Sequence, residues 1–292
     1  MRANRLVMVI GVALIVACLF LAGCSEKTPV RGVSTDPEPP AESTSTEIPH
    51  GGDTVDVLVY FSRDEVIAAS TRAVPRTTAM ARVALEQLLQ GANTAESDIG
   101  MTSAIPAGTR LLGVTVSGGL ATVNLSREFT SGGGSLSMQL RAAQVVYTLT
   151  QFPTVETVAF EVEDKPVQTL GGEGLEVGPS VGRADFENVT PAILVESPTP
   201  GARVSSPLRL TGTANVFEAM FVVTVTAPGG EIVTEQAVQT TSGTGTRGTF
   251  DEPVEFDIAS DGAGTVIVYE PSPKDGAPTN MVRLPVTLVT AP

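Results

Sequence analysis

The 292-residue sequence predicts an α+β domain followed by an all-β sandwich. Apolar residues recur at helical spacing in two segments, about 77–90 and 135–151, and alternating β-branched runs flank both of them. After residue 190 this periodicity gives way to short alternating runs that are separated by Pro and Gly turns. The chain is also long enough for two domains of ordinary size.

The first domain, 55–168, has the predicted order β-β-α-β-β-α-β. Gly91 suits the end of the first helix, and Gly118-Gly119 suits the positive φ of a tight hairpin turn. The second helix should be largely buried because its apolar positions cover more than one face. We expect both helices on one face of a single sheet. Its strands are predicted at 55–62, 66–74, 110–116, 120–126 and 155–162.

The second domain, 191–290, should be an immunoglobulin-like sandwich, since seven short strands in about 100 residues are typical of that fold. The chain has no Trp and this region has no Cys, so its core must be aliphatic with Phe221, Phe250 and Phe256. The Gly-rich segment 169–190 shows little periodicity and is predicted to be a connector. The seven strands are predicted at 192–196, 208–213, 220–227, 231–238, 249–258, 265–269 and 282–289.

The start of the chain has the layout of an export signal. Arg2 and Arg5 precede an apolar run, 6–22, and the run ends in Leu21-Ala22-Gly23-Cys24. This ending resembles a bacterial lipobox. The resemblance implies cleavage of a signal peptide, 1–23, and a diacylglyceryl thioether on Cys24. The alternative is an uncleaved N-terminal anchor helix, and both interpretations place the remainder outside the cytoplasmic membrane.

Residues 24–54 are rich in Pro, Ser, Thr and Glu and contain almost no large apolar side chain. Such a segment does not bury enough surface to offset the entropy of ordering, so it is predicted to be a disordered tether. The tether would hold a folded head away from the outer face of the cytoplasmic membrane, to which the lipid on Cys24 attaches the protein.

Composition excludes several classes of protein. Removal of 23 residues from 292 leaves 269, with Cys24 as the only cysteine, so neither a disulfide framework nor a zinc–thiolate site is possible. The net charge of −14 becomes −16 when Arg2 and Arg5 are lost, and this acidity argues against nucleic acid as a partner.

A search for chemistry predicts no catalytic, cofactor-binding or metal-binding residue, and the protein is not expected to be an enzyme. His50 is the sole histidine and lies in the tether, so no Ser-His or Cys-His pair forms. The loop Ser131–Ser135 lacks the Lys and the spacing of a phosphate-binding motif and is interpreted as a helix lead-in. Paired carboxylates remain the one catalytic option, with the candidates Asp164, Asp185, Glu187, Asp251, Glu252 and Asp257.

The first domain resembles the GerM-type (GerMN) domain of sporulation and germination proteins. The segment from Gln144 to Val155, QVVYTLTQFPTV, carries this resemblance most specifically, and Ile105–Thr109 and Val123–Ser126 add to it. The second domain resembles the immunoglobulin-like domain of spore germination proteins through Ile193–Pro198 and Gly212–Glu218. Ala92 and the turn 163–166 depart from the usual pattern of the first family.

The resemblance implies a cell-surface lipoprotein whose first domain is similar to ring-building modules of secretion assemblies and has no established active site. Its expected partners are therefore envelope proteins and, through the lipid on Cys24, the membrane. Three hypotheses remain open at this point. They are a protein-binding scaffold, a sensor accessory or ligand-binding protein for a cell-wall component, and a carboxylate-dependent glycan hydrolase.

Overall fold

A computed structural model describes residues 53–172 and 174–290. These residues form one compact unit of two domains. The predicted signal peptide, Cys24, His50 and nearly all of the predicted tether lie outside the described residues. The helices are α1 (Met80–Leu89), α2 (Thr94–Asp98) and α3 (Ser135–Leu149). The strands of the first domain are β1 (Thr54–Arg63), β2 (Val66–Pro75), β3 (Leu111–Ser117), β4 (Gly119–Leu125), β5 (Val155–Val162), β6 (Lys165–Val167), β7 (Thr169–Leu170) and β8 (Leu175–Glu176).

The first domain has the predicted α+β character, but its strands do not form one sheet. β1 and β2 make a separate antiparallel hairpin, while β3, β4, β5 and β6 form a sheet in that order with β4 parallel to β5. Helix α3 contacts both β1 and β5, so it packs against both sheets. The expectation of two helices on one face of a single sheet is therefore wrong.

The outer edge of β1 explains why the hairpin stays separate. Side chains of α3 and of the turn after it bond to the backbone groups of this edge. Gln151, two residues past the helix, accepts from Leu58 N (2.7 Å) and donates to Leu58 O (2.6 Å). One turn earlier, Thr148 Oγ1 accepts from Tyr60 N at 3.2 Å, and Gln144 Nε2 donates to Tyr60 O at 3.0 Å. Gln144, Thr148 and Gln151 repeat at i, i+4 and i+7, so they lie on one side of α3 and of the turn that follows it. No further strand can pair with β1 there.

The segment predicted as a connector is part of the first domain's core. It contains the hairpin β7–β8, and Val181 pairs with Val158 of β5. Its buried apolar side chains are separated by Gly and polar residues, so no strand or helix periodicity revealed them. They are Leu170, Val177, Val181, Phe186 and Val189.

Helix α2 was not predicted, although its sequence carries a capping signal. Asn93 Oδ1 accepts from Glu96 N at 3.0 Å, and Glu96 Oε2 accepts from Asn93 N at 2.7 Å, which is a complete capping box. Helix α1 begins three residues later than predicted. Thr77 Oγ1 accepts from Ala79 N, and this local turn replaces the first helical turn.

The second domain is a two-sheet sandwich, as predicted. One sheet has the order β10-β16-β15-β12-β13 and the other has the order β14-β11-β9. Phe221 and Phe250 meet edge to face at 4.9 Å, and Phe256 is buried beside the same aliphatic core. An eighth, two-residue strand was missed. The strands are β9 (Ile193–Ser197), β10 (Arg203–Val204), β11 (Leu208–Ala214), β12 (Met220–Thr226), β13 (Ile232–Gln239), β14 (Gly248–Val254), β15 (Gly262–Pro271) and β16 (Pro278–Leu288).

Within residues 53–172 and 174–290, no helix is long and apolar enough to cross a membrane.

Candidate functional site

Strand β9 belongs to the sandwich and also contacts the first domain. Ile193 and Val195 are buried in the sandwich core, whereas Leu194 is buried in the core of the first domain. Successive side chains of a strand point to opposite faces, which is why one strand contributes to both cores. The relative position of the two domains is therefore fixed through β9.

Arg183 forms the main polar contact between the domains. Its Nη1 donates to Glu196 Oε1 on β9 at 2.7 Å, and its Nε donates to Thr150 Oγ1 at 2.8 Å. The guanidinium lies 4.6 Å from the ring centroid of Tyr147 and 5.5 Å from that of Tyr60. Tyr60 Oη donates to the same Glu196 oxygen at 2.5 Å. Two donors from the first domain thus hold one carboxylate of the second.

Burial raises the pKa of Tyr60 well above its ordinary value, and the neighbouring Glu196 carboxylate raises it further despite the opposing charge of Arg183. Burial also raises the pKa of Tyr147, whose hydroxyl lies 2.6 Å from Thr190 Oγ1. Both phenols remain protonated in neutral solution, so Tyr60 acts here as a hydrogen-bond donor.

A second contact joins the segment before β9 to loops of the sandwich. Arg247 Nε and Nη2 lie 2.8 and 3.0 Å from the two Glu187 carboxylate oxygens, and Asn215 Nδ2 donates to the same carboxylate at 2.9 Å. Burial opposes ionisation of Glu187, but the hydrogen bonds from Arg247 and Asn215 outweigh it and lower the pKa of Glu187. Arg247 also donates to Pro191 O at 2.9 Å.

An open cleft of about 320 Å³ lies between the domains. Its walls are the start of β2 (Val66–Ala69), the start of β9 with residues 190–192 before it, and part of β16 (Asn280, Met281, Val282 and Leu284). Most of the lining is apolar, and Arg63, Asp64, Thr190 and Asn280 supply polar groups. A concave apolar site with a few converging polar groups is typical of binding sites.

Backbone groups on two strand edges face this cleft. Ser62 and Tyr60 direct their N–H and C=O groups away from β2, toward Thr102 and α3 respectively. Their cross-strand partners Ile67 and Ala69 therefore direct theirs away from β1. On the opposite wall, Asn215 N donates to Ala192 O, which places Ile193 in a non-hydrogen-bonded pair with its groups pointing away from β11.

Four of the six candidate carboxylates are engaged in structural contacts. Asp164 accepts from Asn124, Asp185 caps Gly182 N, Glu187 binds Arg247, and Asp251 binds Arg209. Each of these four carboxylates makes a local structural contact, and Asp185 and Glu187 lie two residues apart in the segment before β9. Glu252 and Asp257 lie on and just after β14, outside the cleft.

A second depression at the domain boundary is lined by Asp56 and Glu196 among others. Glu196 Oε1 accepts from both Arg183 and Tyr60, so only the exposed Asp56 carries an unengaged carboxylate there. In the described ranges, no group of three or more His, Cys, Asp or Glu side chains is placed to hold a metal ion. The geometry gives no support to the hydrolase hypothesis.

The loop Ser131–Ser135 leads into α3, as interpreted from the sequence. Its carbonyl oxygens point at Arg141, whose Nη1 lies 3.2 Å from Ser131 O and 2.5 Å from Phe129 O, and whose Nη2 lies 3.2 Å from Gly132 O. A loop that presents carbonyl oxygens to a buried guanidinium does not cradle a phosphate. Arg141 was not predicted as a structural residue, although an Arg between Leu140 and Ala142 on a buried helix was a visible signal.

Arg183, Glu196 and the cleft were not predicted from the sequence either. No short motif marks them, because the contacts join residues that are 13 to 136 positions apart. Only the fold brings β2, β9 and β16 together.

Comparisons with known proteins match both domains. The family model described as sporulation and spore germination matches residues 58–168, and the model of the immunoglobulin-like domain of bacterial spore germination matches residues 192–277. Neither is a family of known enzymes. No curated protein matches the chain.

Among solved structures, the first GerMN domain of the sporulation protein GerM from Bacillus subtilis is 23% identical, with a TM-score of 0.39, and the match covers 45% of this chain and 99% of that one. The tandem GerMN domains of the same protein are 15% identical at a TM-score of 0.39, with 70% and 62% covered. A candidate lipoprotein from Clostridium perfringens is 22% identical at a TM-score of 0.35, with 47% and 93% covered.

The two matching family models confirm the resemblance seen in the sequence: residues 58–168 match the family described as sporulation and spore germination, and residues 192–277 match the immunoglobulin-like domain of bacterial spore germination.

Proposed function

We propose that this chain is a non-enzymatic lipoprotein of the cell envelope that binds other envelope proteins. The Leu21-Ala22-Gly23-Cys24 ending of the apolar N-terminal segment supports the lipid anchor. The two germination-type domains support a role in an envelope assembly, because neither family is known for catalysis.

The observation that carries the proposal is the open cleft between two domains whose relative position is fixed. Arg183 with Glu196 and Arg247 with Glu187 hold the domains in place on either side of the start of β9. A preformed surface loses little conformational entropy on binding, so more of its contact energy appears as affinity. A rigid, partly apolar cleft therefore suits the recognition of a partner.

The anchor is tested by Cys24→Ala. One acyl chain binds a membrane only marginally, whereas two or three give stable attachment. Cys24→Ala should move the protein out of the membrane fraction while the thermal unfolding of both domains stays unchanged. A variant that fractionates like the parent would favour the uncleaved anchor helix instead.

Partner binding is tested by photocrosslinking in intact cells. A photoreactive residue replaces Met281, which is 40% exposed at the cleft, or Leu112, which is 41% exposed on β3 outside it. We expect a discrete adduct with an envelope protein from position 281 that is absent from position 112. Equal adducts from both positions, or none from position 281, would count against the proposal.

A second candidate is a sensor accessory or ligand-binding lipoprotein that recognises a cell-wall component. The volume of the cleft favours it, since about 320 Å³ falls at the lower end of the range of small-molecule sites. Calorimetry of the purified chain with a soluble disaccharide–peptide fragment of peptidoglycan tests it. The absence of heat at millimolar fragment would remove this candidate.

A further inference from the structure

Strand β3 lies at one end of the sheet β3-β4-β5-β6, and its outer backbone edge is unpaired. The two-residue turn Gly118-Gly119 makes Ser117 the hydrogen-bonded partner of Leu120 on β4. Bonded and non-bonded pairs alternate along antiparallel strands, so Val114 and Val116 direct their N–H and C=O groups away from β4. Among the described residues, these groups have no hydrogen-bond partner.

The outer edge of β3 is open to solvent. Val116 is 38% exposed, and Leu112 near the start of the strand is 41% exposed. Thr115 is exposed as well, whereas Val114 is partly buried because its side chain packs against the core of the first domain. Helix α1 contacts β3 through the same core, and in the described part of the chain β4 is the one strand that pairs with β3. Another strand therefore has access to this edge.

The sequence of β3 lacks most of the protection that exposed strand edges usually carry. Natural proteins protect such edges with charges, Pro, bulges or very short strands, because an unpaired edge is a template for another chain. The seven residues LLGVTVS contain no charge and no Pro, and the bulge between Leu111 and Gly113 leaves the rest of the strand regular. At the other end of this sheet, β6 has three residues and includes Lys165 and Pro166. In the sandwich, the edge strand β14 contains the residues DEP, 251–253.

The occupant that suits this edge is the same edge of a second copy. In an antiparallel pair with a two-fold axis at Thr115, Val114 of each copy lies opposite Val116 of the other. Both of these pairs are hydrogen-bonded, and the Val side chains meet on one face while the two Thr115 side chains meet on the other. Packing of β-branched residues and Thr–Thr pairs stabilises antiparallel strands. No like charges oppose each other, because β3 has no charged residue.

We propose that two copies of this protein pair through β3, so that their two four-stranded sheets form one continuous sheet. The assembly closes at two copies, because each uses the same edge. With about four main-chain hydrogen bonds, the interface is smaller than the roughly 800 Å² per partner of a stable complex, so pairing in solution should be weak. Attachment to one membrane raises the effective concentration of the copies. The inference goes beyond the proposed function, and only this membrane step rests on the proposed anchor.

Disulfide trapping in membranes from cells that express the full chain tests the pairing. Thr115→Cys should give a disulfide-linked dimer, because the Cα atoms of a non-hydrogen-bonded pair lie about 4.5 Å apart, within the span of a disulfide. Thr122→Cys is the matched control, since Thr122 lies opposite Thr115 on the same face of the sheet but belongs to β4. In the proposed pair the two Thr122 residues are three strand spacings, about 14 Å, apart, which is too far for a disulfide.

Two further variants test the register and the chemistry of the edge. Ser117→Cys should not crosslink, because the two Ser117 residues lie about 14 Å apart along the paired strands. In the Thr115→Cys chain, Val116→Lys should lower the dimer yield about tenfold, since the two-fold axis repeats the loss of apolar contact, whereas Val116→Ile should not. Circular dichroism of each variant checks that the fold is retained. The proposal is overturned if Thr115→Cys forms no more dimer than Thr122→Cys, if Ser117→Cys crosslinks equally well, or if Val116→Lys leaves the yield unchanged.

The two proposals fail in different experiments. A dimer from Thr115→Cys without an envelope-protein adduct at Met281 would refute the envelope partner and leave the pairing through β3 in place. The reverse result would refute only the pairing. A photoreactive residue at Leu112 lies opposite the turn residue Gly118 of the second copy, so its adduct should have the mass of two copies of this chain and not that of an envelope protein.

Discussion

Arg183 and Glu196 join the two domains, with Nη1 of the arginine 2.7 Å from Oε1 of the glutamate. Their side chains are 25% and 20% exposed, so the pair is shielded from most of the solvent. Tyr60 Oη donates to the same oxygen, and its own neighbour Tyr147 stacks on the guanidinium. The contact therefore connects a strand, a helix and the segment before β9 at one point.

Arg183→Met should destabilise the protein by about 2–4 kcal/mol, because it leaves the partly buried Glu196 with only the phenol of Tyr60. Urea unfolding with a probe in each domain measures this. The matched control is Arg209→Met, which breaks a pair whose side chains are 73% and 54% exposed and should therefore cost far less stability. Equal effects of the two substitutions would show that Arg183 contributes no more than a surface charge.

The order of strands and helices was predictable from the sequence, because the apolar residues of each long element recur at helix or strand spacing. Helix α3 and strand β5 were placed to within two residues, and the Gly118-Gly119 turn has positive φ at both residues, as predicted. The division into two sheets was not predicted from the sequence, because it depends on which backbone groups of β1 bond to side chains of α3 and of the turn after it. That is a contact between positions 84 to 93 residues apart.

Gln144→Leu tests the side chains that occupy the edge of β1. The substitution keeps the shape of the side chain but leaves Tyr60 O and Ala104 N without their partners at 3.0 and 2.7 Å. We expect a loss of about 2–4 kcal/mol, since each unpaired buried group costs about 1–3 kcal/mol. Gln90→Leu, at an exposed helix end, is the control and should change stability by less than about 0.5 kcal/mol.

If Gln144→Leu lowers the free energy of unfolding as little as Gln90→Leu does, then water replaces the Gln144 side-chain amide at the edge of β1. Faster amide exchange at Ala104 would accompany a real loss of the contact, since this N–H donates to Gln144 Oε1.

The motif that carried the family resemblance contains the residues that bond to the outer edge of β1. Gln144, Thr148 and Gln151 all lie within the segment from Gln144 to Val155 that resembles GerM-type domains. The sequence showed the motif and the structure shows its physical role. The cleft had no comparable signal, because Ile67, Ala69 and Ile193 are ordinary strand residues whose backbone, not side chain, defines the edge.

Arg141→Leu should lower stability by about 2–4 kcal/mol, because four carbonyl groups lose a charged donor. Burial lowers the pKa of Arg141, and no carboxylate compensates its charge within the described residues, so the carbonyls of Ala104, Phe129, Ser131 and Gly132 supply its stabilisation. Arg127→Leu, with a side chain that is 83% exposed, is the control. In chemical denaturation, the free energy of unfolding of Arg141→Leu should be lower than that of Arg127→Leu by at least about 1.5 kcal/mol.

Stability should fall as the solution is acidified, because Glu96 is held as a buried anion. Burial opposes its ionisation, but hydrogen bonds from Arg72, Ser70 and the Asn93 backbone outweigh it and lower the pKa of Glu96 below its ordinary value of 4.5. A carboxyl whose pKa is lower in the folded state contributes stability that is complete above pH 4.5 and is lost as the pH falls through the folded-state pKa. Glu187 acts in the same direction.

Glu96→Gln distinguishes this titration from general acid unfolding. At neutral pH the variant should be less stable by about 3–5 kcal/mol, because Arg72 loses the carboxylate whose Oε2 lies 2.6 Å from its Nη2. Below pH 4.5 its stability should depend less steeply on pH than that of the parent, since one linked proton is absent. Glu86→Gln changes an exposed carboxylate on α1 and should keep the parent's slope. Parallel curves for the parent and Glu96→Gln would show that the Arg72–Glu96 pair is not the acid-sensitive contact.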